Sequence, residues 1–368
     1  MQQLMGIINL DHELDQLGEL TYFRCGAAVP FAGRYRLIDF VLSNMVHAQI
    51  QDIALFVRRK YRSLLDHLGE GKPWDLGHKR GGLFILPPDW HDPTDKSRGD
   101  LQHFHNNMDF IHRGTANYIV HTGSQHISTV DFQDVFRYHK QQNADVTLVY
   151  TKVPQLEEHH TTCVRLEIDE KAGKVLNIHH ELNHPNVYME MFIIEKSLFV
   201  ELVQHCIAHG QSFFFRDAIQ RNRHNLKISA YEYKGYHAVI NSVQSYYRTS
   251  LDLLNQENYA QLFKPKMVYT KIKYEPPARY LNNAQVTNSL ISNGCVIEGT
   301  VENSILFRGV KVHKGAHIKN AIIMQKCEID PNTLLENVII DKEVHITSNR
   351  MLIGDVKKPF MIAKRHAL

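Results

Sequence analysis

The sequence lacks the features that mark disulfide-rich, membrane-inserted or secreted chains. Its five cysteines are scattered, and even the closest two, Cys295 and Cys327, are far apart in the chain, so neither a disulfide framework nor a Cys-x-x-Cys metal site is predicted. No run of apolar residues approaches the roughly 20 that a membrane helix needs. The opening MQQLMGIINLDHELD is acidic and does not follow the signal-peptide pattern. We therefore expect a cytoplasmic protein with no membrane partner.

An excess of charge of either sign is also missing. Lys and Arg total 42 against 39 Asp and Glu, and the resulting net charge of +3 is too small to indicate a nucleic-acid surface. Hydrophobic residues make up 43% and charged residues 22%, as in ordinary globular proteins. The basic run at 58–62 follows a predicted strand, and we interpret it as a solvated strand end.

Histidine is abundant, with 24 residues. Several are crowded together in the chain: His103 and His105, His159 and His160, and His179, His180 and His184. No HExxH motif or Cys/His pairing at a zinc-ligand spacing accompanies them. We therefore predict solvated loop histidines and no metal site.

Residues 1–265 alternate short aliphatic runs with amphipathic stretches, a pattern that is typical of βαβ units in an α/β domain. Strands are predicted at 5–10, 52–57, 118–120 and 145–150, and helices at 36–46 and 197–203. A linker is expected at 266–280, which contains Pro276 and Pro277.

The carboxyl-terminal part, residues 281–368, has a different texture. Aliphatic residues recur there every five or six positions from Val286 to Ile346, and glycines such as Gly294 and Gly309 fall between them. A parallel β-helix of hexapeptide turns needs this spacing, because one aliphatic residue on each flat side points inward and glycine relieves the corners. At roughly 18 residues per coil, three to four coils are predicted. An antiparallel meander is the alternative, and it would show alternation with a period of two.

Several separated motifs resemble those of bacterial glucose-1-phosphate adenylyltransferases, the ADP-glucose pyrophosphorylases. They are LTYFRCGAAVPFAGRYRLIDF at 20–40, Trp74-Asp75-Leu76, GLFILPP at 82–88, Gly235-Tyr236-His237 and Ser245-Tyr246-Tyr247. The likeness covers almost the whole chain, with the motifs in the family's order. It implies a Rossmann-like nucleotidyltransferase domain followed by a left-handed parallel β-helix, in agreement with the two textures.

The resemblance also implies catalytic groups, and these are missing here. The family's glycine-rich phosphate loop aligns with 9–19, which holds one glycine and four acids. The lysine of the family's first motif is replaced by Gly26, and the two magnesium aspartates align with Gln125 and Val239. The lysine that faces glucose 1-phosphate aligns with Glu181, a reversal of charge.

Positioning and charge stabilisation carry nearly all of the catalysis in such transfers. The resemblance therefore implies a non-catalytic, D-type regulatory subunit of glucose-1-phosphate adenylyltransferase in glycogen biosynthesis. It would modulate a catalytic partner that makes ADP-glucose from ATP and glucose 1-phosphate, and it would form a homo-oligomer or a hetero-tetramer. Mg²⁺ would belong to the catalytic partner, and this chain would bind no cofactor.

The resemblance also implies a site for an effector or a sugar phosphate at four arginines that match ligand-binding motifs of the family: Arg24, Arg34, Arg36 and Arg216. Arginine can bind a sugar phosphate through paired hydrogen bonds. Internal ion pairs, such as Arg36 with Asp39 or Arg216 with Asp217, are the equally weighted alternative.

Two enzymatic functions are weighed against the regulatory one. An active adenylyltransferase with a rearranged metal site could recruit Asp11 or Asp39 to hold magnesium. An acyltransferase on the β-helix could use His313 or His317 as general base, although such enzymes would have no use for the large α/β domain.

Overall fold

The computed structural model of the protein describes residues 3–11, 13, 15–77, 81–88, 99–154, 156–180 and 184–367. Glu181, the residue aligned with the sugar-phosphate lysine, lies outside the described residues. Contacts divide the chain into two compact units: Met1–Glu13 with Phe40–Val239, and Leu14–Asp39 with Ile240–Leu368. The domain boundaries at 265 and 281 that the hydrophobic pattern suggests stay a prediction, because this division groups residues by their contacts and not by sequence pattern.

Strands and helices alternate in the first unit and its flanks. The described strands up to residue 239 are β1 (Leu4–Asn9), β2 (Pro30–Phe31), β3 (Tyr35–Arg36), β4 (Asp52–Phe56), β5 (Gly82–Leu86), β6 (Tyr118–Thr122), β7 (His126–Ile127), β8 (Val146–Lys152), β9 (Arg165–Asp169), β10 (Lys174–His179), β11 (Asn186–Glu195), β12 (Ile228–Glu232) and β13 (Ala238–Val239). The described α-helices are α1 (Leu37–His47), α2 (Arg62–Leu68), α3 (Leu101–Asn106), α4 (Met108–Arg113), α5 (Phe132–Gln142), α6 (Lys196–Ala208), α7 (Val243–Asp252) and α8 (Gln256–Phe263).

The first unit is built on a sheet of nine described strands in the order β5-β4-β1-β6-β11-β8-β12-β10-β9. The pairs from β5 to β6 are parallel, whereas β11 runs antiparallel to both β6 and β8. β1 is buried along its whole length, as expected for a central strand with helices on both faces. Phe104, Phe199 and Phe214 pack together in the core on one side.

The second unit contains a three-sided parallel β-helix. Its described strands are β14 (Arg279–Tyr280), β15 (Gln285–Thr287), β16 (Leu290–Ile291), β17 (Val296–Ile297), β18 (Thr300–Glu302), β19 (Ile305–Leu306), β20 (Lys311–Val312), β21 (His317–Lys319), β22 (Ile322–Ile323), β23 (Glu328–Ile329), β24 (Leu334–Glu336), β25 (Val338–Ile340), β26 (His345–Ile346), β27 (Met351–Ile353) and β28 (Phe360–Ile362). Every third strand pairs in parallel, which gives each described face five strands. The inward aliphatic residues form one continuous apolar core, as the spacing predicted.

The coils are shorter and more numerous than predicted. Ile297, Val312, Ile329 and Ile346 are successive partners on one face, so these coils take 15 to 17 residues and not 18. The last step on another face, from Ile340 to Ile362, takes 22 residues. Asparagine explains the tight corners, because it adopts left-handed backbone angles more readily than other residues with a side chain. One column of corners consists of asparagines with positive φ: Asn288, Asn303, Asn320 and Asn337. Their side chains bond along the column, for example Asn288 Nδ2 to Asn303 Oδ1 at 2.7 Å.

The predicted strands and helices all occur, with small shifts at their ends. The strand predicted at 5–10 is Leu4–Asn9, and the helix predicted at 36–46 is Leu37–His47. The helix predicted at 197–203 extends to Ala208. Within the described ranges, no helix is both long and apolar enough to cross a bilayer.

Candidate functional site

The candidate active site lies at the carboxyl ends of the central parallel strands. The chain adds β4 and β5 on one side of β1 before it returns to β6 on the other side. Such a reversal of strand order leaves a crevice at the strand ends, where α/β sheets bind ligands. The segments that follow Asn9 and Thr122 therefore border the candidate site.

Asp11, just after β1, is buried and contacts two basic side chains. Its Oδ2 accepts a hydrogen bond from Arg58 Nη2 at 2.7 Å and lies 3.0 Å from His103 Nδ1. Burial alone would raise the pKa of Asp11, but the hydrogen bonds from His103 and Arg58 lower it below its ordinary value. The negative charge of Asp11 is thus compensated inside the first unit.

Two sequence predictions are wrong for the partners of Asp11. The run 58–62 is not wholly a solvated strand end, since the Arg58 side chain is 6% exposed. Nor are the crowded histidines all solvated, because His103 and His160 are buried. Sequence alone does not show that Asp11, which is 47 and 92 positions away, is there to pair with Arg58 and His103.

A second buried carboxylate holds the end of β1. Asp100 Oδ2 accepts from Asn9 Nδ2, and Asp100 Oδ1 accepts from the backbone amide of Phe214, both at 2.8 Å. The amide of Asp11 in turn donates to Asn9 Oδ1 at 3.0 Å. A phosphate cradle needs free backbone amides that point at the ligand, and the Asp11 amide is already bonded within the protein.

The two positions aligned with the family's magnesium aspartates are brought close to each other. β7 pairs antiparallel with β13, which sets Val239 opposite His126, the neighbour of Gln125. Val239 is buried in a small apolar cluster with Cys163 and Val187. Magnesium prefers carboxylate oxygens, whereas Gln125 offers one neutral amide oxygen and Val239 offers none. These two positions therefore do not fit a magnesium ion.

Two other carboxylates approach this crevice, and the sequence analysis missed both. Glu13 Oε1 accepts a hydrogen bond from Ser124 Oγ at 2.7 Å. Glu190 lies in a bulge of β11 and has a φ of +56°. Its carboxylate lies against Gly123, so closely that a side-chain Cβ at position 123 would be only 2.9 Å from Glu190 Oε2. A left-handed backbone in a residue other than glycine is often retained at functional sites. Glu13 was visible within the acidic run, but nothing in the sequence signals a bulge at Glu190.

The buried His126 and the partly buried His237 form a pair beside Gln125. His126 Nδ1 and His237 Nε2 are 2.9 Å apart, and the two rings stack. Burial lowers the pKa of His126 to about 3, and burial together with the repulsion that a protonated His126 would exert places the pKa of His237 well below its ordinary value. Both imidazoles are therefore neutral near pH 7 and supply no positive charge for a phosphate.

Arg216 is held by an acid of its own segment. Its Nε and Nη2 donate to the Asp217 carboxylate at 2.8 and 2.9 Å, and Arg221 Nη1 lies 2.9 Å from the same group. Burial alone would raise the pKa of Asp217, but hydrogen bonds from Arg216 and from nearby backbone amides lower it to about 2. The ion pair considered from the sequence is present, with a buried carboxylate and a half-exposed guanidinium.

The predicted effector residues Arg24, Arg34 and Arg36 belong to the second unit and occupy different surroundings. Arg24 is buried, and its Nη2 contacts both carboxylate oxygens of Asp341 at 2.9 and 2.8 Å. Gly26, at the lost lysine position, begins a buried 3-10 turn close after Arg24. Arg24 therefore forms an internal ion pair, although Asp341 is not the partner that the sequence suggested for any of these arginines.

Arg34 lines a pocket of about 270 Å³ that it shares with Lys273 and Arg308. Tyr35 and Tyr259 add aromatic walls, and the Arg34 guanidinium lies 5.4 Å from the centre of the Tyr35 ring. None of the described side chains that line the pocket is acidic. Burial and the charge of Arg34 lower the pKa of Arg308. We refer to this group as the cationic pocket.

Arg36 is half-buried near another basic group. Its backbone amide donates to Asp39 Oδ2 at 3.0 Å, which is the proximity expected from the sequence. Burial, and then the charges of Arg36 and Arg24, lower the pKa of Lys342 to about 7. A bound phosphate would offset this crowding of positive charge.

The residues considered for other enzymatic functions are engaged elsewhere. Asp39 is buried at the start of α1 and accepts a hydrogen bond from the Arg36 amide. Asp11 is paired with Arg58 and His103. His313 and His317 lie on outer faces of the β-helix, next to Glu328 and Glu302 respectively.

Comparison with known proteins agrees with this architecture. A nucleotidyl transferase family model matches residues 15–243, and a model of the GlmU-like C-terminal hexapeptide matches residues 276–358. The glycogen biosynthesis protein GlgD of Bacillus subtilis is 39% identical over 366 residues, which cover 98% of this chain and 96% of that protein. GlgD of Geobacillus stearothermophilus is 40% identical, with coverage of 85% and 82%. The glucose-1-phosphate adenylyltransferase of Fervidobacterium nodosum is 32% identical, with coverage of 92% and 83%.

The two family models together define a nucleotidyltransferase domain followed by a left-handed parallel β-helix, which confirms the predicted fold class. The chain belongs to the nucleotidyl transferase family, in the group that contains glucose-1-phosphate adenylyltransferases and the glycogen biosynthesis protein GlgD. The family resemblance drawn from the sequence motifs is thereby confirmed.

Proposed function

We propose that this chain is a catalytically degenerate, regulatory subunit of glucose-1-phosphate adenylyltransferase in cytoplasmic glycogen biosynthesis. The observation that carries the proposal is the pairing of β7 with β13, which assembles the two aligned metal positions from Gln125 and Val239. The names of the GlgD relatives support the pathway, and the adenylyltransferase relatives support the kind of catalytic partner.

Three further features support the loss of catalysis. The Asp11 amide after β1 is bonded internally, and the pair of His126 and His237 is neutral. Gly26 provides no cation at the aligned lysine position. Removing one electrostatic stabiliser commonly costs about 100-fold to 1000-fold in rate, so a site that lacks the metal anchors and the cation is not expected to turn over. Mg²⁺ then acts in the catalytic partner, and this chain needs no cofactor.

A regulatory role is supported by the cationic pocket. Arg34, Lys273 and Arg308 provide three positive charges around a volume large enough for a phosphorylated sugar, and two tyrosines provide surfaces for the sugar ring. Arg36 and Lys342 form a second cationic environment in the same unit. By contrast, Arg24 and Arg216 are bonded to buried carboxylates, so we place the effector at Arg34.

The test is an assay of ADP-glucose formation from ATP, glucose 1-phosphate and Mg²⁺. The purified chain alone is expected to show no turnover. Co-purified with a catalytic glucose-1-phosphate adenylyltransferase subunit, it should change the maximal rate or the response to sugar phosphates. A mixture that behaves in every respect like the catalytic subunit alone would refute the regulatory role.

Matched variants locate the effector response within the complex. Arg34→Ala should weaken activation by a sugar phosphate by about 10-fold to 100-fold, because a charge-assisted hydrogen bond contributes about 1.5–3 kcal/mol. Arg350→Ala is the control, since Arg350 is an exposed β-helix arginine bonded to Thr347 and remote in sequence from the cationic pocket. Equal responses of the two variants would contradict the assignment to Arg34.

An active adenylyltransferase with a rearranged metal site is the second candidate, and Glu13 and Glu190 are the observation that favours it. Both carboxylates lie next to the segment that contains Gln125. Under this hypothesis the purified chain turns over, and the Glu13→Gln or Glu190→Gln variant does not. Absence of turnover in the unaltered chain at saturating Mg²⁺ would exclude it.

A further inference from the structure

A group of histidines and carboxylates projects from one face of the β-helix. Val312, Ile329 and Ile346 are partners on successive coils and point into the apolar core. Side chains alternate between the two sides of a strand, so the residues next to these three point outward. Successive coils are about 4.8 Å apart, a spacing that brings side chains from neighbouring coils into contact.

Two carboxylates on the middle coil are flanked by histidines from the coils before and after. His313 Nε2 lies 3.0 Å from Glu328 Oε1, and His345 Nε2 lies 3.0 Å from Asp330 Oδ1. Ligand atoms of His313, Glu328 and Asp330 all lie within 4.8 Å of one another. The four side chains are between 25% and 49% exposed, so they have room to adjust.

We propose that His313, Glu328, Asp330 and His345 form a binding site for a divalent transition metal such as Zn²⁺. Zinc takes four ligands in a tetrahedron, accepts imidazole nitrogen and carboxylate oxygen, and binds them at about 2.0–2.2 Å. Ligand atoms around such an ion are then about 3.4 Å apart, so the three clustered atoms, now within 4.8 Å of one another, need to approach by up to about 1.4 Å. Two carboxylates also neutralise the charge of the ion.

The competing explanation is a set of cross-coil ion pairs with no role in metal binding. Lys311 Nζ lies 3.5 Å from Glu328 Oε1 and competes with a metal for that carboxylate. The two explanations differ in what they predict for Lys311→Met. The metal site predicts tighter zinc binding after this change, because a competing cation is removed, whereas ion pairing alone predicts no specific zinc binding before or after it.

The experiment is a Zn²⁺ titration of the metal-free full-length chain against a chromophoric chelator. With 24 histidines in the chain, weak background binding is expected, so the informative quantity is one equivalent that binds more tightly than the rest. Asp330→Asn and Glu328→Gln keep the side-chain shape and should weaken that equivalent by at least about 10-fold to 100-fold. Circular dichroism of each variant checks that it is folded.

His317→Ala is the matched control. His317 Nε2 lies 3.4 Å from Glu302 on another face, and among the described residues it belongs to no group of three potential metal ligands. The proposal holds if the tight equivalent survives His317→Ala and disappears in Asp330→Asn. It is overturned if the unaltered chain has no tight equivalent, or if Asp330→Asn binds zinc as the unaltered chain does. Neither result bears on the proposed regulatory function, which rests on the other unit's crevice and on the cationic pocket.

Discussion

The buried ion pair between Arg24 and Asp341 permits a quantitative prediction. The side chains of Arg24 and Asp341 are 3% and 1% exposed, and two contacts below 3 Å join them. Replacing Asp341 by Asn keeps the volume but removes the charge that compensates the guanidinium. Breaking a buried pair on one side costs about 3–5 kcal/mol, because an uncompensated charge stays buried. We therefore expect Asp341→Asn to destabilise the second unit by about that amount.

The assay must resolve the second unit, since a chain with two compact units need not unfold in one step. Hydrogen exchange measured by mass spectrometry on peptides from the β-helix provides the local free energy of opening. The double variant Arg24→Met/Asp341→Leu replaces both charges by apolar groups and should lie within about 1 kcal/mol of the unaltered chain.

Two results would refute this reasoning. The first is a cost of less than about 1 kcal/mol for Asp341→Asn, since it would mean that water or another group compensates Arg24. The second is loss of the sugar-phosphate response in a stable Arg24→Met/Asp341→Leu protein, since it would make Arg24 an effector ligand and not a structural residue.

Three further predictions concern pH, backbone strain and the loop after β1. The folded-state pKa of Lys342 is lowered from 10.5 to about 7. Between pH 7 and pH 10.5, Lys342 is therefore protonated in the unfolded chain and neutral in the folded chain. The free energy of unfolding consequently rises with pH across that range. Lys342→Met should remove this rise and stabilise the protein at pH 7 and below by up to about 5 kcal/mol, at about 1.36 kcal/mol per pKa unit. Urea titrations over about pH 6–10 would measure this effect. If the variant kept the same slope of unfolding free energy against pH, the burial of Lys342 would be contradicted. Gly309 and Lys326 occupy equivalent corners with φ of +69° and +60°, so Lys326→Gly should stabilise and Gly309→Ala destabilise by about 1 kcal/mol each, and thermal shifts of the same sign for both would be inconsistent with left-handed strain. Asp11→Asn leaves Arg58 with a neutral partner and should cost about 3 kcal/mol, whereas hydrogen exchange unchanged at β1 would show that Arg58 is compensated elsewhere.

Much of the fold could be read from local patterns. The strand at Leu4–Asn9 and the helix at Leu37–His47 are visible because apolar residues repeat with a period set by the local backbone. The β-helix is visible for the same reason, since the repeat of five or six residues reports one flat side after another. The coil length was overestimated, because an ideal coil of about 18 residues was assumed, although three steps of five or six residues sum to the observed 15 to 17.

The candidate site was less predictable because its contacts join residues that are far apart in the chain. Motif alignment identified Gln125 and Val239, and the structure does bring their segments together. The burial of Arg24 against Asp341 and of Asp11 against Arg58 has no local signature, since each depends on a partner on another element. The positive φ of Glu190 likewise arises from the register shift between two strands.

The division of the chain has a consequence for biosynthesis. The second unit takes its members from both sides of the middle segment, and Arg24 meets Asp341 only after 317 further residues have been added. At about 5–20 residues per second, the ribosome needs roughly 15 to 60 seconds to supply that partner. During this interval the segment 14–39 lacks residues 240–368, against which it packs in the folded protein. Residues 40–239 emerge in the same interval and have time to fold. In a nascent chain halted before the last coils, the sheet of nine described strands should therefore be folded, whereas the segment 14–39 should be sensitive to protease.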